Sequence, residues 1–308
     1  MVWQWNAHLL QKAAVLGKVP LLINFDETSV PLVHTGLKGN IMVVNGRRAW
    51  QQEARQRVRG GEDRMNFTLL TMICDRPEIQ IRLPQIIFVS QSILRVPEWG
   101  DVCANLPRNV YVKRMPSSWN TAQQLVVIIR LLKAILSDLW ATYQPIVSFD
   151  AAPCHLSRDV LSMCTEMGVW WVVIPARLTW MLQPCDTHVF QRLKRFLKTR
   201  FQSEYEGYIG RVSVRYMLDL VIASIRLVVQ AHNWRNAFEE TGMAGDAGRV
   251  SAFIRRNIDF PQLAAFPDDV PSMGELRLLW PRNKPMPEDL ITAALFDNAG
   301  YAADSEHE

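Results

Sequence analysis

Two short apolar runs, Pro145–Asp150 (PIVSFD) and Val169–Ile174 (VWWVVI), enclose a helix-length segment, Ser157–Met167, with Gly168 as its stop. A helix between two strand-sized runs is the mark of parallel neighbours in a sheet covered by helices. VWWVVI does not alternate, so it reads as a strand buried on both faces. This unit commits the chain to a mixed α/β fold.

The rest of the sequence extends the pattern. Val19–Asp26 (VPLLINFD) is a third apolar run ending in an acid, and Met65–Cys74 and Ile79–Ser90 read as two strands around the turn-forming DRP. From Trp119 the period changes. Leu125, Ile128, Ile129, Leu132, Ile135, Leu136 and Leu139 fall on one helical face, and Thr121 and Gln124 are spaced as a capping box. After Gln183–Pro184 a helix runs to about Phe201, with Val189, Leu193, Phe196, Leu197 and Phe201 as its apolar stripe. Residues 212–240 read as two further helices. Residues 46–64 hold six Arg against three acids and a Gly pair, as expected of a solvated insertion.

At 308 residues and 49% hydrophobic, the chain is long enough for one large core and too apolar to be disordered. Its apolar runs are too short to span a bilayer, and MVWQWNAHLLQK lacks the pattern of a signal peptide, so no membrane partner is expected. Five cysteines without a C-x-x-C pair signal neither a zinc site nor a disulfide framework, which points to a reducing compartment. Positive charge is mostly guanidinium, 26 Arg against 8 Lys, and guanidinium suits bidentate phosphate contact. The last 24 residues carry six acids and no Lys or Arg; with +4 overall, residues 1–284 carry +10. A basic body of this kind admits a polyanionic partner.

Three carboxylates stand out by position: Asp26 in NFDET, Asp150 in SFDAAPCH and Asp186 in LQPCDTHVF. Ligands of open α/β sheets gather at the carboxyl ends of strands, where Asp26 and Asp150 would be delivered. Asp186 shares a helical face with Val189, Phe190 and Leu193, so it is expected to point towards the sheet. Acids brought together repel, and a hard divalent cation with oxygen ligands is the usual remedy. Read singly, an acid after an apolar run is more often a turn or helix-cap residue than a ligand.

The segments NFDET, FDAAPCH and LQPCDTHVFQRLK resemble the three catalytic blocks of the DDE-superfamily endonuclease domain, most of all those of pogo/Tigger-like (mariner superfamily) transposases. The 35 residues between Asp150 and Asp186 are similar to that group's short second gap. RLPQIIFVS and AFEETGM resemble two weaker blocks, so the likeness runs from about Val19 to Met243. It implies a ribonuclease-H-like mixed sheet flanked by helices, with Asp26, Asp150 and Asp186 as both catalytic acids and ligands of two Mg²⁺ or Mn²⁺ ions. It further implies hydrolytic DNA cleavage and strand transfer, DNA as partner, a homodimer on DNA, and residence in the nucleus. On this reading residues 1–18 are a lead, 19–243 the catalytic domain, 244–284 an extension and 285–308 an acidic tail.

Two positions depart from the family pattern. Ala151 stands where Asn usually follows the second acid, removing an amide expected to brace Asp150; His188 stands where Gly is common. Only about 18 residues precede the first strand, so the helix-turn-helix module of the family's transposases is expected to be missing. These departures support an alternative, a domesticated or truncated relative that binds nucleic acid without cleaving it. His155 and His188 are expected as hydrogen-bonding partners rather than ligands, because this class of ion prefers oxygen. Arg192, Lys194, Arg195, Lys198 and Arg200, just beyond Asp186, are expected to contact the phosphate backbone. Trp170 and Trp171 read as core; Trp50 and Trp119 are candidates for stacking on an unpaired base. Cys154 and Cys185 flank the acids without a pattern that would make them nucleophiles.

Overall fold

The computed structural model describes residues 1–31, 66–205, 213–258, 265–267 and 269–296. The Arg-rich 46–64 segment and Trp50 lie outside them. In chain order the sheet region comprises α1 (Val2–Val15), β1 (Val19–Pro31), β2 (Asn66–Cys74), the single turn α2 (Pro77–Gln80), β3 (Gln85–Ser90), α3 (Val96–Cys103) and β4 (Val110–Met115). It continues through α4 (Ala122–Ile135), β5 (Tyr143–Asp150), α5 (Arg158–Glu166) and β6 (Trp170–Ile174). Beyond it come α6 (Thr179–Leu182), a π turn (Cys185–Val189) leading into α7 (Phe190–Tyr205), α8 (Val214–Ser224) with a π-helical extension (Ile225–Gln230), and α9 (Arg235–Glu240). Three short helices close the described chain: α10 (Ala252–Asn257), α11 (Met273–Leu279) and α12 (Glu288–Phe296).

The six strands lie in the order β4-β3-β2-β1-β5-β6. β2 is antiparallel to both β1 and β3, and the other neighbouring pairs are parallel. The ribonuclease-H-like expectation holds: an antiparallel β1–β2–β3 meander, continued on the far side of β1 by two strands parallel to it. β6 is buried along its whole length, as the absence of alternation predicts.

Where β1 changes partners fixes the site. Its pairs with β5 run from Val19↔Tyr143 to Asn24↔Ser148, and its pairs with β2 run from Ile23↔Cys74 to Pro31↔Asn66. Past Asn24, β1 parts from β5 while staying on β2. Asp26 therefore does not close its strand, as its place at the end of an apolar run suggested; pairing with β2 carries the strand five residues further. Asp26 and Asp150 each lie two residues beyond the last β1–β5 pair, on either side of the split.

The run Ile79–Ser90 is also not one strand. Pro77 starts the helical turn α2, and the Gln80 side chain accepts from Cys74 N at 2.8 Å, so strand geometry begins only at Gln85. Pro84, which has no N–H for a ladder, separates the two. Helix ends follow local chemistry: Thr121 Oγ1 accepts from Gln124 N, Ser157 accepts from Val160 N, and Gly168 takes the left-handed φ of 68° after α5. The expected capping box at Thr121 is half made, because Gln124 Oε1 accepts from Lys113 Nζ instead.

Candidate active site

Alternation along β1 sends neighbouring residues to opposite faces. Asn24 and Asp26 share the face of Thr71, which pairs with Asp26 across the β1–β2 ladder. Phe25 lies on the other face against Phe149, with ring centroids 5.5 Å apart, and Glu27 follows on that side.

The first acid is the most strained electrostatically. Asp26 is only 9% exposed and accepts from Glu27 N at 2.8 Å. Burial, then the negative charges of Asp186, Glu27 and Asp150, push its pKa up to about 8. The Asp150 carboxylate is braced through one oxygen: Oδ1 accepts from Ala152 N at 3.1 Å and lies 2.5 Å from His155 Nδ1. Ala151 contributes no side-chain amide, and these two groups hold Asp150 in its place.

Asp186 arrives through the π turn. Asn24 Oδ1 accepts from Cys185 N at 2.8 Å, while Asn24 Nδ2 donates to the Ser148 carbonyl at 2.8 Å. One amide thus ties β1, β5 and the start of the π turn together. Asp186 itself is exposed, not turned into the sheet. The wider π turn, with Cys185 buried on the sheet, leaves the next residue on the accessible rim. Burial of its inner side and the charge of Asp150 raise its pKa, opposed by a hydrogen bond from Thr179 and by nearby Lys194.

The three predicted acids therefore come to one end of the sheet and interact. Their donor chemistry, oxygen only and mutually repelling, fits a hard divalent cation. Their placement is looser: among the described residues, no three His, Cys, Asp or Glu side chains stand together closely enough to hold a metal ion.

His155 is wholly buried and lies between Asp150 and Glu27, its Nε2 3.2 Å from Glu27 Oε2. Burial opposes a charged ring, but hydrogen bonds to the two carboxylates prevail and hold its pKa well above the ordinary value. His188 sits apart, with Nε2 3.0 Å from Glu240 and Nδ1 2.8 Å from Thr187 Oγ1. Both histidines are hydrogen-bonding partners, as expected. Burial raises the thiol pKa of Cys154, and of Cys185 far above the ordinary value, so neither is poised as a thiolate.

Arg192, Lys194, Arg195, Lys198 and Arg200 are all exposed along α7. Arg192 is partly engaged, 2.6 Å from His232 Nε2 and 5.6 Å from the Trp234 ring. Burial and the Arg192 charge lower the His232 pKa, which suits it as the acceptor. Trp170 and Trp171 are in the core, and Trp119 is 71% exposed. Sequence reasoning missed Asn24, Glu27 and Asn120. Only the alternation beside Asp26 pointed to Asn24 and Glu27, and nothing local marked Asn120, which donates to Glu27 Oε1 at 2.5 Å.

Neither a protein-family model nor a curated protein sequence matches the chain. Solved structures do. One is described as the Mos1 transposase paired-end complex with left transposon end, at 14% identity and a TM-score of 0.37, covering 78% of this chain and 61% of that one. A Mos1 mariner paired-end complex with Mn gives 14% identity, a TM-score of 0.35, and 78% and 62% coverage. The catalytic domain of Mos1 mariner transposase gives 14% identity and a TM-score of 0.32, with 78% of this chain and 92% of that chain covered. This chain thus spans about three-fifths of the length of the first two. Likeness this loose assigns neither a residue nor an activity.

Proposed function

We propose that this chain is the catalytic domain of a DDE-type, metal-dependent DNA endonuclease of the pogo/Tigger transposase kind. One observation carries the reading. Three acids from separate segments, Asp26, Asp150 and Asp186, lie towards the end of the sheet where β1 and β5 part, and the charges of the latter two add to burial in raising the pKa of the first. Two Mg²⁺ or Mn²⁺ ions at these carboxylates would supply the Lewis acidity that activates water and stabilises the leaving oxygen of a phosphodiester. The chain's own residues do the remainder. Asn24 holds the π turn in place beneath Asp186, His155 and Ala152 N hold Asp150, and the exposed cations of α7 bind the phosphate backbone beside the acids. A homodimer on DNA and residence in the nucleus belong to the same reading.

The test is nicking of supercoiled DNA in Mg²⁺ or Mn²⁺ by wild type, Asp26→Ala and Asp186→Ala. Divalent-dependent nicking by wild type that drops to background in both variants is expected. Equal nicking by all three proteins would defeat the proposal.

A second reading, nucleic-acid binding without cleavage, is favoured by the absence of a ready three-ligand cluster among the described residues. Salt-sensitive DNA binding by wild type, with no nicking in either metal, is its signature.

A further inference from the structure

Three side chains, the half-buried Asn120 and Glu27 and the buried His155, form a continuous path into the second acid. Asn120 Oδ1 accepts from Thr121 N at 2.9 Å, at the N-cap of α4, and Asn120 Nδ2 donates to Glu27 Oε1 at 2.5 Å. Glu27 receives His155 Nε2, at 3.2 Å from Oε2 and 3.4 Å from Oε1. The opposite ring nitrogen, Nδ1, lies 2.5 Å from Asp150 Oδ1. Each ring nitrogen thus stands against a carboxylate oxygen, one on either side of the imidazole. Its plane is fixed by edge contact with Phe25, centroids 5.3 Å apart at 86°, and by Phe149 at 5.7 Å.

A polar path of this kind is costly to bury unless each member is satisfied. At its end, it does more than satisfy itself. Both protein hydrogen bonds to the Asp150 carboxylate, from His155 and from Ala152 N, fall on Oδ1. That restrains the carboxylate through Oδ1 and leaves Oδ2 without a protein hydrogen bond among the described residues. Glu27 and Asp26 are neighbours on opposite faces of β1, so the strand that carries the first acid also anchors the group orienting the second.

We propose that His155, backed by Glu27 and Asn120, is the positioning residue that sets which oxygen of Asp150 faces a bound cation and the reacting phosphate. This rests on the reading of Asp26, Asp150 and Asp186 as the catalytic acids. Leu at 155 removes both ring bonds. Asn at 155 keeps a donor near the place of Nδ1 and loses the reach to Glu27. The outer partners of ligating carboxylates typically matter by about 10–100-fold in affinity or activity.

The experiment compares wild type, His155→Leu, His155→Asn and Asp150→Asn in two assays. The first is Mn²⁺ binding without DNA, read by electron paramagnetic resonance. The second is kcat and KM for Mn²⁺-dependent nicking, with thermal melting as a folding control. The expected result is Mn²⁺ binding weakened and kcat lowered by about 10–100-fold in His155→Leu, KM for DNA unchanged, and partial recovery in His155→Asn. If His155→Leu fails to fold, His155→Asn alone decides, with a several-fold loss in both assays expected. Folded variants that match wild type in Mn²⁺ binding and kcat would overturn the positioning role. If Asp150→Asn binds Mn²⁺ and nicks like wild type, the assignment of the acids fails instead, and with it the basis of the proposal.

Discussion

Asp26 holds a carboxylate where the fold least favours one. Its pKa of about 8 in the folded chain compares with an ordinary value of 3.8. Between those values the folded state binds the proton more tightly than the unfolded chain, so stability falls as pH rises from about 4 to about 8 and levels off above. Asp26→Asn removes that penalty. In chelator, the variant should be more stable than wild type at pH 8, by about 1–2 kcal/mol, and show a flatter stability–pH profile, while losing nicking. Urea melts at pH 5 and pH 8 check this; a wild type as stable at pH 8 as at pH 5 would contradict it. The acids were legible because each follows a distinctive stretch. Glu27 and Asn120 were not, because their contact spans 93 residues and no local pattern encodes it.

Among the elements, α7 is the one on which the polyanion reading stands. Among the described residues none of its five cations has an ion pair with an acid, and Arg192 rests on His232 and Trp234. Lys194→Glu combined with Lys198→Glu should weaken DNA binding across sequences and reduce the slope of log K against log salt by about 2. Fluorescence anisotropy at several salt concentrations measures it; an unchanged slope would remove α7 from the interface. Helices with a long apolar stripe, such as α4 and α7, were readable from periodicity. Strand limits were less so. β1 runs past its apolar stretch because pairing with β2, not hydrophobicity, sets its end. α1 also escaped the sequence reading, although Trp5, Leu9 and Ala13 recur every fourth residue and are all buried.

At the scale of the molecule, the two ends of the described chain hold one another. Lys12 Nζ donates to the carbonyls of Ala294 at 3.0 Å and Leu295 at 3.4 Å, the last turn of α12, and lies 4.8 Å from the Trp170 ring. Asn6 Nδ2 donates to the Met243 carbonyl, and Trp3 Nε1 to that of Thr241. The acid-rich segment therefore begins as a docked helix: Ile291 and Leu295 are buried, while Asp289 and Glu288 pair with Arg158 and Arg277 at the surface. Those exposed pairs contribute little to stability; the apolar contacts matter more. Ile291→Ala should cost about 2–5 kcal/mol in urea unfolding, whereas Asp289→Asn should cost less than about 1 kcal/mol. Composition alone showed the sign of this segment, not that a buried lysine caps its helix.

The parting of β1 from β5 has a consequence for how this chain tolerates change. Strand geometry has a period of two, so a one-residue slip exchanges the faces of a strand. An insertion or deletion in Val19–Asn24 that slipped the following residues by one would send Glu27 towards the π turn and Asp26 towards His155. Net charge and composition near the split would scarcely alter, yet each carboxylate would stand on the opposite face of the strand. Register, more than the count of acids, is what this stretch must preserve.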